Sequence, residues 1–165
     1  MADLYLMCGL PGSGKSTFLK NKIKDKENSV IISRDAIRFS IVKPEEDYFS
    51  HEKEVTKILW DQINKALAAN KNVFVDQTSL TSKSRAWLLQ HVNGYEHVNV
   101  IWIHENVETC LNRNETRLGT RAYVPRGVIR RMSSQFVTPT LEEGFYRIFY
   151  YNSKEDKIKY VGAPL

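Results

Sequence analysis

Gly9-Leu10-Pro11-Gly12-Ser13-Gly14-Lys15-Ser16-Thr17 follows the apolar run Leu4-Tyr5-Leu6-Met7-Cys8 and precedes Phe18, Leu19 and Ile23 at helical spacing. Strand, G-x-x-x-x-G-K-[ST] loop and helix, in that order, make a phosphate-binding loop. Its glycines let successive backbone N–H groups turn inward toward phosphate oxygens, and the helix that follows adds the positive end of its dipole. This reading assigns Gly12, Ser13, Gly14, Lys15, Ser16 and Thr17 to ATP. Lys15 would reach the β- and γ-phosphates and Ser16 would ligate Mg²⁺, so ATP and Mg²⁺ are the expected cofactors.

Beyond the loop, short β-rich runs alternate with helical periodicity, which predicts an α/β architecture with a parallel sheet. After the first run come Val30-Ile31-Ile32, Val73-Phe74-Val75, Val98-Asn99-Val100-Ile101-Trp102-Ile103 and Arg147-Ile148-Phe149-Tyr150-Tyr151. That gives about five strands; the last dozen residues could add a short hairpin. Between them, Val55, Ile58, Leu59, Ile63, Ala66 and Leu67 repeat at helical spacing, Trp87, Leu88 and Val92 mark a further helix, and Pro125 opens the last. The expected fold is an adenylate-kinase-like P-loop nucleotide-binding domain over 1–165, its helices flanking the sheet and an arginine-rich lid at 113–125.

The composition fits one globular domain: 165 residues, 42% hydrophobic and 26% charged. No apolar run reaches the ~20 residues that span a bilayer. The N-terminus does not read as a signal peptide, so no membrane contact is expected. Two cysteines, Cys8 and Cys110, allow neither a disulfide framework nor a four-cysteine zinc site. A cytoplasmic location is expected. The net charge of +5 is mild, but between residues 113 and 131 six arginines face only Glu115, which suits a polyanionic ligand.

The loop does not by itself choose a reaction. Asp76 is followed by Gln77, not by the Glu usual in motor ATPases, and no N-K-x-D guanine motif is present. A small domain with a late basic segment better suits phosphoryl transfer, which needs a base, cations on the moving phosphoryl and exclusion of water. Asp35, at the C-terminal end of the second strand, is a candidate base, with Arg38 sharing its helix face; a helix-start Asp followed by a surface Arg is the alternative. Asp76 could hold a magnesium-bound water, arrange Gln77, Thr78 and Ser79, or cap a turn. Arg113, Arg117 and Arg121 form a helical stripe if the helix continues, or a cationic flap if it breaks at Gly119.

Four segments in order carry a resemblance to polynucleotide 5′-hydroxyl kinases, both phage enzymes and the kinase domain of the animal kinase/phosphatase. They are Gly9–Thr17, Ser33-Arg34-Asp35-x-x-Arg38, Val75-Asp76-Gln77-Thr78-Ser79 and Gln135-Phe136-x-x-Pro139-Thr140-Leu141-Glu142-Glu143-Gly144-Phe145. The resemblance implies Asp35 as general base, Arg38 on the acceptor phosphate with Gln77 and Thr78 beside it, and a lid arginine on the donor. Arg117 matches that arginine best; the shifted spacing leaves Arg121 as the alternative. Gln77 stands where some phage enzymes carry an acidic residue. The implied reaction is phosphorylation of 5′-hydroxyl ends of DNA or RNA, with which a ligase partner is compatible. Without room for a phosphatase domain, a kinase alone is expected. Small-molecule P-loop phosphotransferases (nucleoside, sugar-nucleotide or antibiotic kinases) share the ATP half, and a non-catalytic nucleotide-binding regulator is the third reading.

Overall fold

In the computed structural model, which describes residues 1–165, the strand before the glycine loop is β1 (Ala2–Cys8) and lies inside the sheet. It pairs in parallel with β3 (Asn72–Asp76) on one side and β4 (Tyr95–Ile103) on the other. With β2 (Ser29–Ser33), β5 (Arg147–Asn152) and β6 (Lys157–Gly162), the order is β2-β3-β1-β4-β5-β6. Five strands run parallel and β6 antiparallel to β5. The expected fold is thus present, and the tail expected as a short hairpin is a sixth strand along the exposed edge.

Parallel strands buried on both faces need apolar side chains in both directions. Leu4 and Leu6 point to one face, against Leu59 and Ile63 of α3 (Glu52–Ala68) and Leu88 of α4 (Ser82–His91). Met7 points to the other, against Phe18 and Leu19 of α1 (Lys15–Lys22). Above the sheet's C-terminal edge, Leu10, Leu80 and Cys110 form a small third cluster with Met132 and Phe136 packed on it. The remaining helices are α2 (Arg34–Ile41), α5 (Val107–Glu115) and α6 (Arg126–Gln135). No helix is long and apolar enough to cross a membrane.

Three expectations change in detail. The fourth strand starts at Tyr95, three residues before Val98. Trp87, one of the apolar residues that marked this helix, is 50% exposed, whereas Leu88 and Val92 are buried. The arginine stripe does not form, because α5 ends at Glu115 and the chain turns at once; Thr116 Oγ1 donates back to the Arg113 carbonyl. Only Arg113 remains on the helix, and the segment expected as a lid continues from Thr116 as a run of turns.

Candidate active site

The glycine loop is fixed by contacts that other residues could not make. Gly12 and Gly14 have φ of +83° and +103°, a region that side chains with a Cβ rarely adopt. A Cβ at Gly12 would also lie 2.6 Å from the Cys110 carbonyl oxygen. The Gly9 N–H donates to the Thr78 carbonyl, joining the loop to the end of β3. Arg113 braces it from behind, donating to the Gly12 and Ser13 carbonyls at 3.3 and 3.1 Å and to Glu105 and Ser153.

The start of α1, like those of α3 and α6, carries no side-chain cap. Ser33, Thr81 and Asn106 each accept a backbone N–H and so cap α2, α4 and α5. At α1 the cap position is Gly14, no side chain closes it, and the first turn holds no acidic residue. An uncapped helix start behind two left-handed glycines is a site for an anion. Lys15 is buried there, its Nζ donating to the Gly9 and Leu10 carbonyls at 2.9 and 2.8 Å. Burial holds its ammonium below the usual lysine range, against the opposing pull of the Asp76 carboxylate. Cys8 and Cys110 are free thiols beneath the loop, and burial pushes Cys8 up to about 11, so it is not a nucleophile at neutral pH.

Ser16 Oγ donates to Asp76 Oδ2 at 2.7 Å. A hydroxyl and a carboxylate oxygen converging beside the loop are the hard donors magnesium takes, with water completing its shell. The residues therefore fit the expected cation, and the uncapped cradle fits the phosphates.

Facing the loop across the sheet edge lies a network wider than the sequence predicted. Ser33 caps α2, so Asp35 and Arg38 come off its first turns. Arg38 is buried; its Nε and Nη2 grip Glu52 at 2.9 and 2.7 Å, and its Nη1 donates to Asp35 and to the Tyr48 hydroxyl. Arg34 adds bonds to Glu52 and Thr56. Four of the five guanidinium N–H donors of Arg38 thus have protein partners. Burial opposes its charge, but Glu52, with Tyr48 and Asp35, raises its pKa above the usual arginine value. Burial alone would push Glu52 up; Arg38 and Arg34 outweigh it and hold that carboxyl below the usual range.

One cavity of about 360 Å³ joins these parts. Gly12, Gly14, Lys15, Ser16, Thr17, Asp35, Arg38, Asp76, Gln77, Thr78 and Arg117 all line it. Ser13, though in the loop, is buried with its hydroxyl unpartnered. Arg121 is elsewhere: it donates to the Val42 carbonyl and lies over the Phe39 ring, tying the lid to the end of α2. Of the other basic residues in this stretch, Arg126 pairs with Glu115, already counted in it, and Arg130 with Glu108 from outside it, so one further positive charge is balanced locally.

Two structural clamps escaped the sequence reading. Asn114, fully buried, exchanges two hydrogen bonds with the backbone of Val124 and closes the base of the lid. Arg85, also buried, grips Glu143 through Nε and Nη2 and donates to the Ser79 and Val137 carbonyls. The segment Gln135–Phe145 is thereby fastened to the loop after β3.

A profile described as AAA domain matches residues 4–139. The chain is 30% identical over 141 residues to L-seryl-tRNA(Sec) kinase of Methanococcus maripaludis, covering 82% of this chain and 53% of that one. Among solved structures, a chain of the Pnkp1/Rnl/Hen1 RNA repair complex superposes with a TM-score of 0.72 at 25% identity, covering 81% of this chain and 43% of that chain. Chaetomium thermophilum Kti12, solved with ADP-AlF3, gives 0.67 at 18% identity over 93% and 91% of the two chains. The chain thus spans about half the length of the curated kinase it matches. With the profile covering most of the chain and the phosphate cradle in place, the protein belongs to the AAA domain family and has the fold of a P-loop kinase.

Proposed function

We propose that the protein is a polynucleotide 5′-hydroxyl kinase that moves the γ-phosphoryl of ATP to a 5′-hydroxyl end of DNA or RNA. The observation that carries this reading is the shared cavity, in which Asp35 stands across from Lys15 and the Ser16–Asp76 pair. Two relatives support a nucleic-acid acceptor: a kinase named for a tRNA-borne serine, and a chain of an RNA repair complex. A ligase partner is compatible with that second likeness.

In this reading Asp35 takes the proton of the attacking hydroxyl. The acceptor oxygen bonds to the γ-phosphorus as the bond to the β–γ bridging oxygen breaks, and ADP leaves. Lys15 turns from the Gly9 and Leu10 carbonyls to the phosphates, and Arg117 closes from the lid onto the transferring group. Ser16 and Asp76 would hold Mg²⁺, which would supply charge screening on the phosphates. Arg38 orients Asp35 and keeps one Nη2 hydrogen for an acceptor phosphate. Gln77 and Thr78 line the acceptor side.

The test is transfer of labelled γ-phosphate from ATP to 5′-hydroxyl oligonucleotides, run beside nucleosides and sugars. Labelled oligonucleotide that is lost in Asp35→Asn, with ATP binding retained, is the expected result. Transfer to small acceptors and never to oligonucleotides overturns it. That outcome is the second reading, a small-molecule kinase, favoured by the internal partners that occupy most of Arg38. An undiminished rate in Asp35→Asn removes the base, and ATP binding with no transfer to any acceptor leaves a nucleotide-binding regulator.

A further inference from the structure

The two most exposed aromatic rings of the chain, Phe49 at 51% and Trp87 at 50%, both line the cavity that holds Asp35. Leaving so large a ring half in water forgoes much of the stabilisation its burial would bring. Trp87 is also held in place. Its ring meets the edge of Trp60 with centroids 5.1 Å apart, and Trp60 is stacked on His91 at 3.8 Å with the planes 5° apart. His91 Nδ1 lies 2.8 Å from the Trp87 carbonyl oxygen, which closes the set.

The position of this set follows from the helices. Glu52 and Trp60 both line the cavity and stand eight residues apart on α3, which is about 12 Å along its axis. Glu52 marks the end at Asp35, through Arg38. The cleft therefore runs from the proposed base down between α3 and α4 to a fixed indole. Its one carboxylate on α3, Glu52, is neutralised by Arg34 and Arg38, so the wall does not repel a polyanion.

We infer that Trp87, backed by Trp60 and His91, is a stacking subsite for an unpaired nucleobase near the 5′ end of the acceptor strand. This rests on the kinase reading above and adds to it the strand state of the acceptor: a base stacked on Trp87 is not paired in a duplex there. Stacking on a ring face accepts every base, so sequence tolerance follows.

The experiment measures KM and kcat for 5′-hydroxyl oligonucleotides with wild type, Trp87→Ala and Trp87→Phe, on normal strands and on strands abasic at their first positions. Trp87→Ala is expected to raise the oligonucleotide KM about ten-fold, with kcat and the ATP KM unchanged, and Trp87→Phe to recover most of the loss. The abasic strand should cost wild type a similar factor and cost Trp87→Ala little. Equal KM values for wild type and Trp87→Ala, or an abasic penalty that persists in Trp87→Ala, overturn the subsite while wild-type transfer keeps the kinase reading. Absence of wild-type transfer to any oligonucleotide removes both. Trp87 is half exposed, so the variants fold; equal melting temperatures verify it.

Discussion

The Tyr48 hydroxyl donates to Asp35 Oδ1 at 2.6 Å, so the carboxylate proposed to take a proton from the acceptor already receives a hydrogen bond from a hydroxyl of the protein. Burial, then the Asp35 carboxylate, hold the Tyr48 phenol well above its usual pKa, and it stays protonated at physiological pH. An acceptor hydroxyl approaching Oδ1 competes with this phenol. A hydrogen bond to a charged group contributes about 1.5–3 kcal/mol, part of which the acceptor must replace. Tyr48→Phe is therefore expected to lower the acceptor KM several-fold with the ATP KM unchanged. Steady-state kinetics with each substrate varied checks this; a raised acceptor KM would show that Tyr48 aligns the base instead of competing for it.

Glu52 anchors two arginines, and its substitution has a pH signature. Arg38 and Arg34 overcome burial and hold its carboxyl below the ordinary range. A carboxyl whose folded pKa lies below its unfolded value of about 4.3 stabilises the fold above that value. The contribution is lost as pH falls through the folded value. Removing one member of a buried pair costs about 3–5 kcal/mol, but the Glu52 side chain is 31% exposed, so Glu52→Gln should cost about 2 kcal/mol at pH 7. Urea unfolding at pH 7 and below pH 4 should show the gap to wild type narrowing with acid. A constant gap would mean that Glu52 acts through packing and not through its charge.

What was legible in the sequence is what depends on neighbours along the chain. The loop Gly9–Thr17 and the alternation of strands and helices follow from local spacing, and the structure has them; the cap of α2 at Ser33, two residues before Asp35, comes from the structure alone. The clamps were not legible, because they join residues far apart: Arg85 meets Glu143 across 58 positions and Arg38 meets Glu52 across 14. Arg85 did carry a signal. It precedes Leu88 by three residues and Val92 by seven, which puts it on the buried face of α4, whereas Trp87 falls beside that face. Spacing alone left Arg113, Arg117 and Arg121 open between a stripe and a flap, because it does not show where the helix stops; it stops at Glu115, four residues before Gly119. Arg38 kept its predicted place beside Asp35 but acquired a partner, Glu52, that only the fold supplies.

Lys15 separates binding from folding. Its ammonium is buried with two carbonyl partners, and burial depresses its pKa. The unfolded chain therefore binds more protons than the folded one between the depressed value and about 10.4, and stability rises with pH across that window. Lys15→Met removes the buried charge while keeping much of the side-chain volume. Its melting temperature at pH 7 should match or exceed that of wild type, and the rise with alkaline pH should flatten. ATP turnover should fall by at least about 10²-fold. Turnover near the wild-type rate would exclude Lys15 from contact with the transferring phosphoryl.

On the proposed reading, Asn114 holds closed the loop that carries Arg117. Its side chain donates to the Val124 carbonyl at 2.6 Å and accepts the Val124 N–H at 3.0 Å, so the residues between them form a loop closed at its base. Ala122 and Val124 line the cavity together with Arg117, and Arg121 fixes the far side of the loop to Val42 at the end of α2. Asn114→Ala opens the base and leaves two backbone groups of Val124 without their partner, at about 1–3 kcal/mol each where they stay buried. The core strands do not depend on this clamp, so the loss should be local, as in sub-global opening. Limited trypsin digestion is expected to cut Asn114→Ala faster at Arg117 and Arg121, with urea unfolding of the remainder little changed. Transfer should weaken through a higher ATP KM more than through loss of the fold. Unaltered digestion at both arginines would place the lid's anchorage elsewhere, in the Arg121–Val42 contact, and Arg121→Ala would then open it.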